Sequence, residues 1–177
     1  SAAIQDYQRG IVIGSTTTGK GTAQVQLDTL AYGQATLTQR KFYRITGGST
    51  QNKGVIPDIK LVDIYNDEFG ERKAKNALKW DTIPTAPFKR EGSVQPYITK
   101  LSQLSQQRVT LDPQFQYLEQ RKQIAKKAED RKSIVLDIEQ RRAELLTLEQ
   151  QTLAAENKRR QETGLKPFAN WESYQAS

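Results

Sequence analysis

The chain has 177 residues and a net charge of +7, and it contains no cysteine, methionine or histidine. Within these residues, that composition excludes disulfides, thiol chemistry, zinc-finger spacing and any histidine-based catalytic triad. A hydrophobic content of 36%, a charged content of 27% and a mean hydropathy of -0.75 indicate that part of the chain exposes much of its surface, as long helices do.

The positive charge is spread thinly along the chain. Residues 1–80 hold 11 basic and 7 acidic side chains, residues 81–110 hold 4 and 2, and residues 111–177 hold 12 and 11. Nucleic-acid binders usually concentrate positive charge on one face and interleave it with aromatic residues. We therefore rank nucleic-acid binding last among the candidate functions.

The first half of the chain predicts mixed α/β structure. Its opening, SAAIQDYQRG, reads as the end of a helix that Gly10 breaks, so we expect the chain to be a fragment of a longer protein. Apolar runs and alternation of apolar with polar residues then predict strands or extended segments. These segments are IVIG (11–14, buried), AQVQL (23–27, half-buried), ATLTQRKFYRI (35–45) and VIPDIKLVDI (55–64).

The second half predicts a connector followed by helices. Residues 65–92 are interrupted by Pro84 and Pro87, which leaves room for one short helix near Ala74–Leu78. From residue 93 onward apolar residues recur at helical spacing, and Asp112 and Asp137 are placed to cap two helices. The predicted inner faces are Tyr97, Leu101 and Leu104; Phe115, Leu118, Ala125 and Ala128; and Ile138, Leu145, Leu148 and Leu153.

The stretch GSTTTGKGTAQ (14–24) raises the question of chemistry. Gly14, Gly19 and Lys20 fit the phosphate-loop pattern, in which a lysine holds a nucleotide phosphate. A phosphate loop needs a helix after it, whereas the residues that follow Lys20 alternate as a strand, and Gly21 stands where magnesium binding requires Ser or Thr. The pattern therefore does not predict nucleotide binding.

A lysine on a glycine-flanked turn can serve other chemistry. Glycine lets the backbone pack closely while the lysine side chain points into a pocket. Out of water and away from anions the pKa of a lysine falls, so its neutral amine can act as a base, as a Ser–Lys hydrolase requires. A solvated surface lysine is the alternative interpretation of Lys20.

Two longer stretches carry a family resemblance. AAIQDYQRGIVIGSTTTGKGTAQ (2–24) and KFYRITGGSTQNKGVIPDI (41–59) resemble the carboxy-terminal processing, or tail-specific, serine proteases, and most of all their long bacterial periplasmic branch. The resemblance is strongest over residues 1–62 and weaker through NALKWDTI and DPQFQ in the second half. It implies an α+β chain: the end of a crotonase-like α/β protease core at 1–64, a connector at 65–92 and a helical C-terminal domain at 93–177.

The resemblance also implies roles for individual residues. Lys20 would be the general base of a Ser–Lys dyad, and Gln24 would orient it. An even separation along a strand places both side chains on the same side, although Gln24 can equally be an exposed strand residue. The family's nucleophilic serine would lie upstream of residue 1, as would a PDZ domain, and Ser1 itself is interpreted as a helix residue or cloning remnant.

The function implied by the resemblance is that of a serine endopeptidase that processes or degrades proteins from their C-termini. Its expected partners are protein substrates with accessible C-termini and an adaptor protein, with no nucleic acid, no cofactor, no metal, and membrane association only through a partner. The expected location is the periplasm, and this chain by itself is expected to be inactive. The alternative is a helical interaction module that docks a substrate or an adaptor.

Overall fold

The computed structural model describes residues 1–27, 32–64, 70–90 and 92–177. The chain divides into two compact units, one formed by Ser1–Leu61 with Tyr65–Leu104 and the other by Val62–Ile64 with Ser105–Ser177. Small sheets occur in the first unit and long helices in the second, which makes the chain α+β. We describe each unit by itself.

The first unit contains short elements joined by long connections. In chain order its elements up to residue 73 are α1 (Ala2–Asp6), β1 (Ile13–Gly14), β2 (Thr22–Leu27), β3 (Ala35–Lys41), β4 (Ile59–Lys60) and a 3₁₀ turn (Glu71–Lys73). Strands β1 and β4 pair in parallel, with Ile13 opposite Ile59. Strands β2 and β3 form an antiparallel hairpin whose register shifts between Ala23 and Gln24.

The strand predictions are correct in place but not always in extent. β2 confirms the predicted alternation over Ala23–Gln26, because Ala23 and Val25 are half-buried while the two glutamines are exposed. IVIG was predicted as a buried strand, but only Ile13–Gly14 pair, and Ile13 is 55% exposed. In this unit, its partner β4 is only two residues long, so little surface covers it.

A cluster of polar side chains ties α1 to the strands. Asp6 is buried and accepts from Arg44 Nε at 3.0 and 3.1 Å through its two oxygens. Gln5 donates from Nε2 to Asp58 Oδ1 at 2.9 Å and accepts from Arg44 at 2.9 Å. Asp58 in turn accepts from the Val12 amide at 2.8 Å. These bonds join α1 to the segments around β1, β3 and β4.

The short helix predicted near Ala74–Leu78 is wrong. Among its described residues, this segment has a 3₁₀ turn at Glu71–Lys73 instead, and the residues after it continue as a turn and an extended segment. The local bonds of this segment form short turns, such as Ala77 N to Ala74 O at 3.1 Å, and the residues on either side of 74–78 bond to distant segments. Glu71 N donates to Thr18 O at 2.8 Å, and Asp81 O accepts from Ser49 N at 3.1 Å.

The remaining elements are helices α2 (Gln95–Leu111), α3 (Pro113–Glu129), α4 (Ile138–Glu162) and α5 (Trp171–Gln175). Both predicted caps are confirmed: Asp112 accepts from Gln114 N at 2.8 Å, and Asp137 accepts from Gln140 N at 2.8 Å. These bonds satisfy amides that the first turn of a helix leaves without partners. KSIVL breaks the helical pattern between α3 and α4, as predicted.

The predicted inner face of α4 is wrong over most of its length. Ile138, Leu145 and Leu148 are exposed, and the last two line an open groove against α3. The buried residues of α4 are instead Thr152, Ala155 and Glu156. Apolar periodicity could not reveal this face, because two of its three residues are polar.

Glu156 is buried because its charge is paired along the helix. Arg159 Nε donates to Glu156 Oε2 at 2.9 Å, and the Arg159 guanidinium lies over the Tyr117 ring of α3 at 5.4 Å. The hydrogen bond from Arg159 lowers the pKa of Glu156 below its ordinary value, while burial opposes this shift. Burial raises the pKa of Tyr117, against the hydrogen bond that it accepts from Arg121. This cluster joins α3 to α4.

We predict that Asp6→Asn lowers the free energy of unfolding of the first unit by about 3 kcal/mol, because it leaves Arg44 beside a neutral partner in a largely buried site. Urea unfolding followed by Trp80 fluorescence, in a Trp171→Phe background, measures this change. Arg40→Gln, which changes an exposed cation on β3 of the same unit, is the control and should cost less than about 0.5 kcal/mol. Equal effects of the two variants would contradict the prediction.

We also predict that Glu156→Gln destabilises the helical unit at pH 7 by about 1–3 kcal/mol. Because the pKa of Glu156 is lowered in the folded state, its contribution is complete above the unfolded-state pKa of about 4.3 and is lost as the pH falls through the lower folded-state value. Urea unfolding followed by helical circular dichroism should therefore show a difference in the free energy of unfolding between wild type and Glu156→Gln that is smaller at pH 3 than at pH 7. A difference that widens in acid would be inconsistent with this pairing.

Candidate active site

The turn that carries Lys20 is pressed against the loop formed by residues 49–54. Gly19 has a φ of 79°, and a Cβ on it would lie 3.0 Å from the Asn52 carbonyl carbon. A Cβ on Gly21 would lie 2.4 Å from Gln51 N. Only glycine fits such close backbone approaches without a shift of the chain. The close approach of the 49–54 loop therefore explains why glycine occupies the positions on both sides of Lys20.

Backbone hydrogen bonds fix this turn on three sides. Gly19 O accepts from Asn52 N at 2.8 Å, and Gly21 O accepts from Phe42 N at 2.7 Å. Thr18 O accepts from Glu71 N at 2.8 Å. The main chain on either side of Lys20 is consequently tied to the 49–54 loop, to the end of β3 and to the 3₁₀ turn.

A wholly buried glutamine completes the support of the turn. Gln51 has 0% exposure, and its Oε1 accepts from Gly21 N at 2.8 Å. Its Nε2 donates to Glu71 Oε1 at 3.0 Å, and its backbone N donates to Ser49 Oγ at 3.0 Å. The sequence indicates only a turn-rich loop here, and no local pattern distinguishes Gln51 from its polar neighbours.

The Lys20 side chain is exposed in this chain. Its Nζ donates a long hydrogen bond of 3.4 Å to Thr22 Oγ1, and Thr22 is 7% exposed at the start of β2. The low-dielectric pocket that base chemistry needs is thus not formed around Lys20 by the described residues. Thr22 was not among the predicted site residues, although its even spacing from Lys20 marks it as facing the same side.

Gln24, predicted to orient Lys20, has another partner in the structure. Its Nε2 donates to Thr38 Oγ1 on β3 at 3.2 Å, and the side chain is exposed. The side chain that Lys20 contacts on this face is that of Thr22, rather than that of Gln24. The orienting role of Gln24 stays a prediction.

Ser1 lies at the N-cap of α1, and its side chain makes no capping bond. Its carbonyl accepts from Gln5 N at 3.1 Å, as in an ordinary first helical turn. This position agrees with the interpretation of Ser1 as a helix residue.

The Lys20 turn leads directly into β2. A phosphate loop would continue into a helix whose N-terminal amides bind the phosphates. The expectation that this glycine-rich stretch is not a phosphate loop agrees with this geometry.

Among residues 1–27, 32–64, 70–90 and 92–177, no group of three or more acidic side chains is arranged to hold a metal ion. In the same part of the chain, no helix has both the length and the hydropathy needed to cross a bilayer.

We predict that Gly21→Ala destabilises the first unit by about 1–3 kcal/mol, because the added methyl would overlap the backbone of Gln51 and force the two segments apart. Gly92→Ala is the matched control, since neither glycine has a positive φ and a Cβ on Gly92 meets no atom within 4 Å. Urea unfolding of both variants in the same Trp171→Phe background, followed by Trp80 fluorescence, measures the difference. The steric explanation fails if Gly21→Ala unfolds at the same urea concentration as Gly92→Ala.

Comparison with known proteins agrees with the resemblance seen in the sequence. Residues 1–61 match the model of peptidase family S41, and residues 64–177 match that of the C-terminal domain of tail specific protease. The tail-specific protease of Haemophilus influenzae is 39% identical over an alignment of 142 residues, and the match covers 73% of this chain and 20% of that protein. The chain therefore belongs to the tail-specific protease family, with residues 1–61 in its S41 peptidase region and residues 64–177 in its C-terminal domain.

Proposed function

We propose that this chain supplies the general base of a serine endopeptidase that processes or degrades proteins from their C-termini. Lys20 is the base, and the nucleophilic serine belongs to a part of the full-length protein upstream of residue 1. The observation that carries the proposal is the turn itself: Lys20 stands between two close-packed glycines, and the carbonyls of Thr18, Gly19 and Gly21 are bonded to three different segments. A base must be held in a fixed direction to be effective, and this turn holds the backbone of Lys20.

In the proposed reaction the neutral amine of Lys20 takes the proton from the serine hydroxyl while Oγ bonds to the scissile carbonyl carbon. The resulting ammonium gives that proton to the leaving amine as the peptide bond breaks. Water then attacks the acyl-enzyme with Lys20 again as the base, and serine is restored. Thr22, within 3.4 Å of Nζ, directs the amine, and Gln24 is the further candidate for that role.

The amine must lose its proton, so we propose that the rest of the full-length protein covers Lys20 and excludes water from it. The chain spans 20% of the length of the Haemophilus influenzae relative, so most of such a protein would lie outside it. The same proposal includes a crotonase-like fold for the complete core, of which residues 1–64 are the end. Residues 65–92 are then a connector, and residues 93–177 are a helical C-terminal domain.

The proposed partners follow from the proposed reaction. They are protein substrates with accessible C-termini, together with an adaptor that docks on the helical domain. The proposed location is the periplasm, with membrane association only through a partner. The open groove between α3 and α4, lined by Ile124, Leu145 and Leu148 among others, is our candidate surface for such an adaptor.

We predict that Lys20→Ala in the full-length protein lowers kcat on an internally quenched peptide by at least about 100-fold, the usual contribution of a general base. Lys20→Arg should be nearly as damaging, because a guanidinium does not deprotonate at working pH. The wild-type rate should rise with pH, since the reactive form is the neutral amine. Circular dichroism establishes that each variant is folded, and Lys60→Ala, an exposed lysine of the same unit, is the control. Near-normal turnover by either Lys20 variant would remove the catalytic assignment.

A further inference from the structure

The side-chain amide of Gln51 is held in one orientation by two hydrogen-bond partners, the backbone N–H of Gly21 and the carboxylate of Glu71. Gly21 N–H can only donate, so the atom that faces it must be Oε1. The carboxylate of Glu71 can only accept, so the atom that faces it must be Nε2. With bonds of 2.8 and 3.0 Å, the amide therefore bridges the two groups in one direction only.

The bond to Gly21 acts on the peptide unit that leaves Lys20. Gly21 N belongs to the plane that begins with the Lys20 carbonyl, so the Gln51 bond fixes the rotation of that plane. The Gly19 and Gly21 carbonyls are held separately by Asn52 and Phe42. Because the direction of the Lys20 Cα–Cβ bond depends on the planes at both sides, Gln51 helps to set where Nζ points.

Glu71 supports the Lys20 turn in two ways. Its side chain holds the Gln51 amide, and its backbone N donates to Thr18 O at 2.8 Å. It therefore contacts the Lys20 turn directly on one side and through a buried side chain on the other. A surface glutamine that happened to be near the turn would not be wholly buried and bonded at both ends.

We propose that Gln51, held in orientation by Glu71, is a positioning residue that directs the Lys20 amine. The inference rests on the proposed role of Lys20 as general base, and it adds two residues to that site. Neither residue touches the reacting atoms. Small errors in the placement of a catalytic group are costly, about 100-fold in rate for a displacement near 1 Å.

The test exchanges donor and acceptor across the bond in the full-length protein. Gln51→Glu places two carboxylates face to face, so the bond to Glu71 is lost wherever both are ionised, and activity is therefore compared at the upper end of the pH range in which the enzyme is active. Glu71→Gln keeps an acceptor for Nε2 and is the mild single variant. The double variant Gln51→Glu/Glu71→Gln restores both bonds with the same total charge. Gln39→Glu, an exposed amide-to-carboxylate change on β3, is the charge-matched control.

We expect Gln51→Glu to lower kcat on a quenched peptide by at least about 10-fold with little change in KM. The double variant should recover most of this loss, and Gln39→Glu should stay near wild type. Glu71→Gln, which keeps a neutral acceptor for Nε2, should lose less kcat than Gln51→Glu. Hydrogen exchange of the Gly21 amide provides a second readout that does not depend on turnover. It should be faster in Gln51→Glu and return toward the wild-type rate in the double variant.

Each outcome decides a separate point. Normal kcat in Gln51→Glu, with Lys20→Ala inactive, would overturn the inference and leave the proposed function standing. Faster exchange at Gly21 with unchanged kcat would show a structural role alone, which also overturns it. If the double variant had the same kcat as Gln51→Glu, the Gln51–Glu71 bond would not be what positions Lys20, and the inference would also be overturned. Turnover that persists in Lys20→Ala would remove the proposed function and the inference together.

Discussion

The backbone of Gly19–Gly21 runs so close to the loop at residues 49–54 that no side chain larger than a hydrogen atom fits at either glycine without a shift. This contact determines much of what surrounds it. It requires a positive φ at Gly19 and brings the Gly21 amide within 2.8 Å of the Gln51 side chain. Because a buried amide needs a partner for both of its ends, it also requires an acceptor such as Glu71.

The residues that carry the family resemblance are joined to one another by polar contacts. Gln5 and Asp6 of the QDY sequence bond to Asp58 and Arg44, which stand in the GVIPDI and KFYR stretches. Asp58 then binds the Val12 amide, just before β1. Since these partners lie tens of residues apart in sequence, their pairing fixes how α1 meets the strands. A local pattern such as G-K-G therefore identifies only a turn. The bonded residues Gln5, Asp6, Arg44 and Asp58 together identify how α1 and the strands are arranged.

Sequence reasoning succeeded where structure depends on neighbouring residues. Asp112 and Asp137 were recognised as caps because a cap bonds to an amide two or three positions away, and β2 was recognised by its alternation. It failed where distant contacts decide. Residues 74–78 form a turn rather than a helix, and the residues on either side of them bond to Thr18 and Ser49. Gln51 looks like any loop glutamine. α4 buries Glu156 rather than its leucines, because Arg159, which compensates its charge, also lies over Tyr117 of α3. The α+β class was predictable, but the supports of the candidate site were not.

Glu71 lies within the stretch that matches the C-terminal domain, yet its bonds go to Thr18 and Gln51 in the peptidase region. Trp80 does the same, since its Nε1 donates to Ser49 O at 2.8 Å. The family boundary near residue 61 is therefore not a physical boundary for the Lys20 turn. A chain ending at Ile64 would lack both Glu71 and Trp80, so the Gln51 Nε2 would lose its acceptor and the loop that the two glycines press against would lose its contact with Trp80. The first part of the C-terminal domain belongs, in physical terms, to the support of the candidate site.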